Sequence, residues 1–375
     1  MIPPLAMHMA NELLSVPMAA ATMALAAAFV ALAAWRARRT LDVAKLPLMG
    51  VMGAFVFAAQ MINFPVLPGT SGHLVGSVLL SILLGPWAAI LTITSILIVQ
   101  CLLFADGGLL ALGCNVINMG VVPALLGGVL YRVILGPAGQ GRAGRQYLAA
   151  YLAALLAVVA GASLVPVETS FSGVLKTPMW TFMSVMAGVH VIIGCVEGLV
   201  TFAVLAYLRQ VRPELVGVHS PSHSHPGLVA ALPASAGKPG YRAVLASLLV
   251  TALLLAGVIS WFACSWRDGL ESCIATDKPT AAVIKNDDPA VAKTDALQGR
   301  LAAMPDYTVR TAQADTGATA AAAAPKEAPA AWPNVNGWGS LAGLVGTAVT
   351  LGVVYCVCLA LRRKKKGPVG IDTVP

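Results

Sequence analysis

Nine apolar runs, separated by short polar stretches, limit what this chain can fold into. They are Pro17–Trp35, Leu46–Phe64, His73–Leu84, Trp87–Phe104, Leu109–Leu130, Tyr147–Val165, Trp180–Leu208, Val244–Cys264 and Leu341–Leu361. A helix needs roughly 20 mainly apolar residues to cross the hydrocarbon of a bilayer. Only 11% of the 375 residues are charged and 58% are hydrophobic, whereas soluble domains carry about 25% charged residues. The sequence therefore predicts an all-α integral membrane protein and excludes an aqueous enzyme with a conventional core. His73–Phe104 is too long for one crossing, and Gly85-Pro86 divides it because proline removes a helix donor. The third helix is accordingly expected to be short.

The formal net charge of +8 is not a nucleic-acid signal, because the basic residues lie in short clusters between apolar runs. Arg36, Arg38 and Arg39 follow the first run, Arg142 and Arg145 precede the sixth, and Arg209 and Arg212 follow the seventh. Arg242 precedes the eighth, and Arg362, Arg363, Lys364, Lys365 and Lys366 follow the ninth. With nine crossings and the N-terminus outside, every cluster falls on the cytoplasmic side, as the positive-inside rule requires. Met1–Ser15 lacks the basic region of a cleavable signal peptide. The spans up to Leu208 form one unit. Arg209–Gly240 is a cytoplasmic connector rich in Ser, Pro and His, and residues 241–375 form a two-span unit around an outer loop, residues 265–338. Within that loop, Thr316–Ala331 is low in complexity and cannot bury a core.

Imidazole is the commonest protein ligand for first-row transition metals, and two histidines lie at the outer ends of apolar runs. His8 follows Met7 near the start of the chain. His73 follows the tight stretch Asn63-Phe-Pro-Val-Leu-Pro-Gly-Thr-Ser-Gly72. Pro65, Pro68, Gly69 and Gly72 predict a fixed non-helical loop there, which at membrane depth is tolerated only against protein or a cavity. If Met7 were the first residue, its α-amine, the His8 backbone nitrogen and the His8 ring Nδ1 would chelate one ion, leaving a position for His73. Such a planar nitrogen set favours Ni(II) or Cu(II), with Co(II) also accommodated. The competing reading makes His8 an interfacial residue and His73 a helix-start residue bonded to a carbonyl.

Other polar groups within the apolar runs carry two readings each. Asn115 and Asn118 share a helix face at i, i+3 and either knit helices together or line a cavity. His190 and Glu197, seven apart, are either a functional pair or a buried structural one. His219, His223 and His225 form a weak metal tract or a polar linker. Cys101, Cys114, Cys195, Cys356 and Cys358 read as small core residues. Cys264 and Cys273 flank an outer polar stretch, where a disulfide is expected.

Five stretches in order, Met7-His-Met-Ala-Asn-Glu-Leu-Leu-Ser15, Asn63-Phe-Pro-Val-Leu-Pro-Gly-Thr-Ser-Gly-His73, Leu84-Gly-Pro-Trp87, Asp106-Gly-Gly108 and Gly113-Cys-Asn-Val-Ile-Asn-Met-Gly120, resemble the CbiM/NikM family. Its members are the substrate-binding membrane components of energy-coupling-factor (ECF-type ABC) nickel and cobalt transporters. Arg267-Asp-Gly-Leu-Glu271 is similar to the Pro-Asp-Gly-Leu-Glu motif of the two-span component fused downstream in many such systems, with Arg267 in place of the proline. The resemblance covers residues 7–208 and implies a seven-helix substrate-binding bundle followed by a two-helix transmembrane hairpin. It implies Met7, His8 and His73 as ligands of transported Ni²⁺ or Co²⁺, with no resident cofactor. It also implies residence in a bacterial or archaeal cell membrane, with a membrane coupling protein and cytoplasmic ATPase subunits as partners. Residues 1–6 stand as an extra N-terminal segment against that pattern. No G-x-x-x-x-G-K-[ST] phosphate loop occurs in the chain.

Two alternatives differ in chemistry. Gly69-Thr-Ser-Gly72 fits the G-x-S-G pattern of rhomboid-like intramembrane serine proteases, with His190 as base. A secondary permease driven by ion gradients would instead place carboxylates or histidines across the midplane, where this chain offers His190 and Glu197.

Overall fold

The computed structural model describes residues 8–139, 142–216, 239–274, 286, 288–308, 333–335 and 337–362. Met7, the connector histidines His219, His223 and His225, and the Thr316–Ala331 stretch lie outside the described residues. Helix α1 (Val16–Thr40) begins with Pro17 in its first turn, where a missing N–H costs nothing, and ends on Arg38 and Arg39. Helix α2 (Leu46–Gln60) follows, then a hairpin of β1 (Phe64–Leu67) and β2 (Thr70–Gly72). Helices α3 (Ser77–Leu84) and α4 (Pro86–Phe104) meet at Gly85. A short α5 (Leu112–Asn115) runs through a π-helical turn, Val116–Val121, into α6 (Val122–Gly139). Helices α7 (Ala143–Ala162), α8 (Leu164–Phe171) and α9 (Met179–Val211) complete the first part. The second part contains α10 (Tyr241–Gly257), α11 (Gly269–Ile274), α12 (Pro289–Leu301) and α13 (Gly337–Leu361).

Seven helical stretches among the described residues are long and apolar enough to cross a membrane, and α10 is a shorter apolar helix. The third helix is short, as the sequence predicts. Helix α3 has eight residues, about 12 Å of rise, and the extended stretch before it makes up the crossing: Val75 O accepts from Gln60 at the end of α2 and Leu83 O from Lys45 at its start, each at 2.8 Å. His73–Gly76 stays out of the helix because Gly76 holds a left-handed φ of +78°. A Cβ there would also lie 2.5 Å from Val56 Cγ1, so both conformation and space require glycine. The eighth run similarly ends its α-helix at Gly257 and continues as a 3₁₀ turn, Ile259–Phe262.

Every residue of α2 from Leu48 to Gln60 is buried, which explains its unbroken hydrophobicity: a helix apolar on all sides is surrounded by protein or lipid. Helices α10, α13 and α4 pack around it. Gly346 of α13 sits on Phe57, Gly53 of α2 faces Val354, and Gly343 lies on the Ala256 carbonyl. Close approach through small residues is how helices associate in lipid, where no hydrophobic drive separates helix from tail.

The hairpin pairs Phe64 with Gly72 and Pro65 with Ser71. The second part of the chain extends it: Ser71 N donates to Arg267 O at 2.7 Å, and Cys264 N donates to Asn63 O at 2.8 Å. No disulfide joins Cys264 to Cys273. The expected bridge fails because Cys264 is drawn to the hairpin while Cys273 is buried with Met9, Leu13 and Met186.

Candidate metal centre

His8 is 3% exposed, so the interfacial reading of this residue does not hold. It is held by a clamp on the next residue. Met9 N donates to Asn115 Oδ1 at 3.0 Å, and Asn115 Nδ2 donates to Met9 O at 3.1 Å. Gly108 N reaches the same carbonyl at 2.9 Å. The Asp106-Gly-Gly turn can close this tightly because Gly107 adopts φ +84° and a Cβ there would lie 2.8 Å from His8 Cβ.

Asp106 Oδ1 lies 2.8 Å from His8 Nδ1, and Tyr307 Oη donates to Asp106 Oδ2 at 2.6 Å. Burial disfavours the Asp106 charge, but the His8 ring and the Tyr307 hydroxyl outweigh burial and hold the carboxyl below its ordinary value. Burial and the neighbouring Asp106 charge push the Tyr307 phenol well up. Asp106 is thus ionised and accepts only, which makes His8 Nδ1 the donor and leaves the lone pair on Nε2. That Nε2 is buried with no hydrogen bond among the described residues. The chelate through Nδ1 expected from the sequence would have to displace Asp106, whereas Nε2 needs no displacement. A carboxylate bonded to the far nitrogen of a ligating histidine is the usual means of fixing ring and tautomer.

The His73 ring centre lies 5.3 Å from that of His8, with the planes tilted by 49°. Two imidazoles bound to one ion at about 2 Å each bring their ring centres to about 5 Å. His73 is held from below: Glu197 accepts from Val75 N at 2.8 Å and Gly76 N at 2.7 Å, and Gln60 donates to Val75 O at 2.8 Å. Glu197 is therefore an anchor for the ligand loop and not the partner of His190, whose Nδ1 pairs with Met186 O at 2.8 Å.

His8, His73, His190, Asn115 and Asn118 line one cavity of about 70 Å³, and Asp268 and Gly269 of the second part close it. Asp268 and Glu271 cap each other's backbone, Asp268 N to Glu271 Oε2 at 2.9 Å and Glu271 N to Asp268 Oδ1 at 2.7 Å. Burial and the Glu271 charge raise the Asp268 pKa well above its ordinary value. Gln298 on α12 ties the ligand loops together, donating to Gly107 O at 2.6 Å and accepting from Leu109 N at 3.1 Å. Among the described residues no three His, Cys, Asp or Glu side chains converge to hold an ion. Ligands beyond His8 and His73 would come from backbone groups or from Met7, which is not among those residues.

The sequence singled out His8 and His73, and the fold brings them together. It did not single out Tyr307 or Gln298, which lie in the polar outer loop without any local pattern. Asp106 stood out only as part of a motif. Ser71 is no nucleophile: its hydroxyl donates to Trp266 O at 2.7 Å, so the protease alternative loses its nucleophile.

Residues 8–215 match the CbiM family, described as the cobalt uptake substrate-specific transmembrane region. Residues 242–363 match the PDGLE domain. A putative metal transport protein of Haloquadratum walsbyi is 37% identical over 187 residues, which cover 50% of this chain and 83% of that protein. A fused nickel transport protein, NikMN, of Rhodobacter capsulatus is 32% identical over 222 residues, 56% of this chain and 64% of the relative. A crystal structure of a transition metal transporter is 29% identical, with a TM-score of 0.49, covering 54% of this chain and 93% of that one.

Proposed function

This chain belongs to the CbiM family of cobalt uptake transmembrane regions, and from that premise we propose that it captures Ni²⁺ and/or Co²⁺ for an energy-coupling-factor importer. One observation carries this reading above the rest: among the described residues His8 Nε2 is buried without a hydrogen bond, in a ring whose centre lies 5.3 Å from that of His73. An unpaired buried acceptor is costly, and a divalent ion shared with His73 removes the cost.

The ion enters from the extracytoplasmic side, where the basic clusters put the N-terminus, and the chain resides in the cell (inner) membrane. The hydrated ion exchanges water for His8 and His73, and Met7 completes the set when it heads the chain. Ligation needs neutral imidazoles, so capture weakens in acid. Selection between nickel and cobalt comes from site geometry, since affinities of a given donor set for these ions track each other. A membrane coupling protein and ATPase subunits drive release into the cytoplasm, because the chain carries no phosphate loop of its own.

Uptake of labelled Ni²⁺ and Co²⁺ by vesicles tests this. Uptake should require the coupling and ATPase subunits together with ATP, and should vanish with His73→Ala. Uptake by vesicles holding this chain alone, driven by an ion gradient, would establish the permease alternative instead.

A further inference from the structure

The cavity that holds the two capture histidines is also walled by the π turn, α7 and α9, and that wall carries a second donor set. Asn118, in the π turn, is 6% exposed. Its Nδ2 donates to Glu168 Oε2 at 2.7 Å, which fixes the amide, and its Oδ1 is buried with no hydrogen bond among the described residues. His190 uses Nδ1 on the Met186 carbonyl at 2.8 Å, so its lone pair sits on Nε2. Met119 and Met186 line the same cavity. A buried carbonyl oxygen without a partner calls for a water or an ion. An amide oxygen whose nitrogen is already committed cannot rotate to escape that cost.

The chemistry of the set is specific. Imidazole nitrogen, amide oxygen and thioether sulfur together suit a borderline first-row divalent ion better than a hard one such as Mg²⁺. The Glu168 carboxyl behind the amide holds it in place without facing the ion. The π turn is the local irregularity that builds this wall, and such turns are frequent at functional sites. Its Met119 carbonyl is taken by the Ser77 hydroxyl, and Gly161 of α7 packs directly on the Asn118 carbonyl, so the wall is held on both sides.

We propose that Asn118 Oδ1 and His190 Nε2 form a second, inner site for a divalent transition metal, one step deeper than His8 and His73. The ion bound at the outer pair passes to it on the way through the membrane. That order of events rests on the capture function proposed above; the existence of the inner site does not.

Co²⁺ titration of the full purified chain in detergent, read by visible absorption and by metal content after desalting, separates the two sites. The wild-type chain should bind one Co²⁺ tightly and a second more weakly. His190→Asn keeps a donor for the Met186 carbonyl while removing Nε2, and should abolish only the weak equivalent. Asn118→Ala, which removes only the amide, should weaken it roughly tenfold or more, at least the scale seen when a mere outer partner of a ligand is lost. His73→Ala should remove the tight equivalent and spare the weak one. A single equivalent in the wild type, or a second one unchanged in both His190→Asn and Asn118→Ala, overturns the inner site. A tight equivalent that survives His73→Ala while His190→Asn still removes the weak one overturns the capture reading alone.

Discussion

The second part of the chain meets the first along two seams, and the two are built from different physics. Along α2 the seam is apolar: Gly346 lies against Phe57, and Val354 against Gly53. At the His8 end it is polar and directional. Tyr307 bonds Asp106, Gln298 bonds the backbone of the Asp106-Gly-Gly turn, and Ser71 bonds the Trp266 carbonyl. Dispersion packing between small residues holds helices together in lipid but tolerates small shifts. Buried hydrogen bonds do not, because each unmet group is penalised in full. The apolar seam therefore supplies adhesion, and the polar seam fixes where the His8 ring stands.

Substitutions along each seam can break or sharpen that contrast. The largest effect is expected for Gly107→Ala. A non-glycine residue at φ +84° is strained, and its Cβ would press on His8 Cβ at 2.8 Å and Asn115 Nδ2 at 3.1 Å. Co²⁺ titration should find binding lost while the helical circular dichroism of the apolar bundle is retained. Wild-type affinity would show that tight closure of the turn does not hold His8.

Next comes Tyr307→Phe, which removes the 2.6 Å bond to Asp106 and keeps the ring stacked 4.5 Å from Phe104. Loosening the carboxylate that orients a ligating histidine should weaken metal binding by about tenfold, the lower end of the loss seen for a direct outer partner, with a stability cost of about 0.5–1.5 kcal/mol for the one hydrogen bond. The opposite signature is expected from Gly346→Ala, whose Cβ would fall 2.2 Å from Phe57 Cζ. Overpacking there should cost about 1–3 kcal/mol of stability with Co²⁺ affinity nearly unchanged. Equal affinity losses in the two variants would erase the distinction between the seams. The smallest effect belongs to Ser71→Ala. It should lower stability by about 0.5–1.5 kcal/mol, the net worth of one hydrogen bond, and leave metal binding intact in the same titration.

The apolar runs made most of the helices legible, since length and hydropathy are local properties. The third run was legible as a short helix, but the left-handed Gly76 that delays its start to Ser77 was not. His8 and His73 were legible through chemistry, as imidazoles in a chain with few ionisable groups. Their supports were not. Asp106 is 98 positions from His8, and Tyr307 is 201 from Asp106, separations that no periodic pattern spans. Glu197 bonds backbone N–H groups, which leave no trace in residue identity. The same spacing that put His190 and Glu197 on one face of α9 suggested a pair, yet each is committed to a different carbonyl or amide. Cys264 and Cys273 flanked one polar stretch, but burial of Cys273 against Met9 and Leu13 is a tertiary fact.

X-ray absorption of the purified chain carrying one equivalent of Ni²⁺ reads the ligands of the outer site directly. Two imidazoles sharing the ion predict ring scattering from two histidines, reduced to one in His73→Ala and absent in the His8→Ala, His73→Ala double variant. An unchanged spectrum and unchanged affinity in that double variant would contradict a metal centre built on His8 and His73.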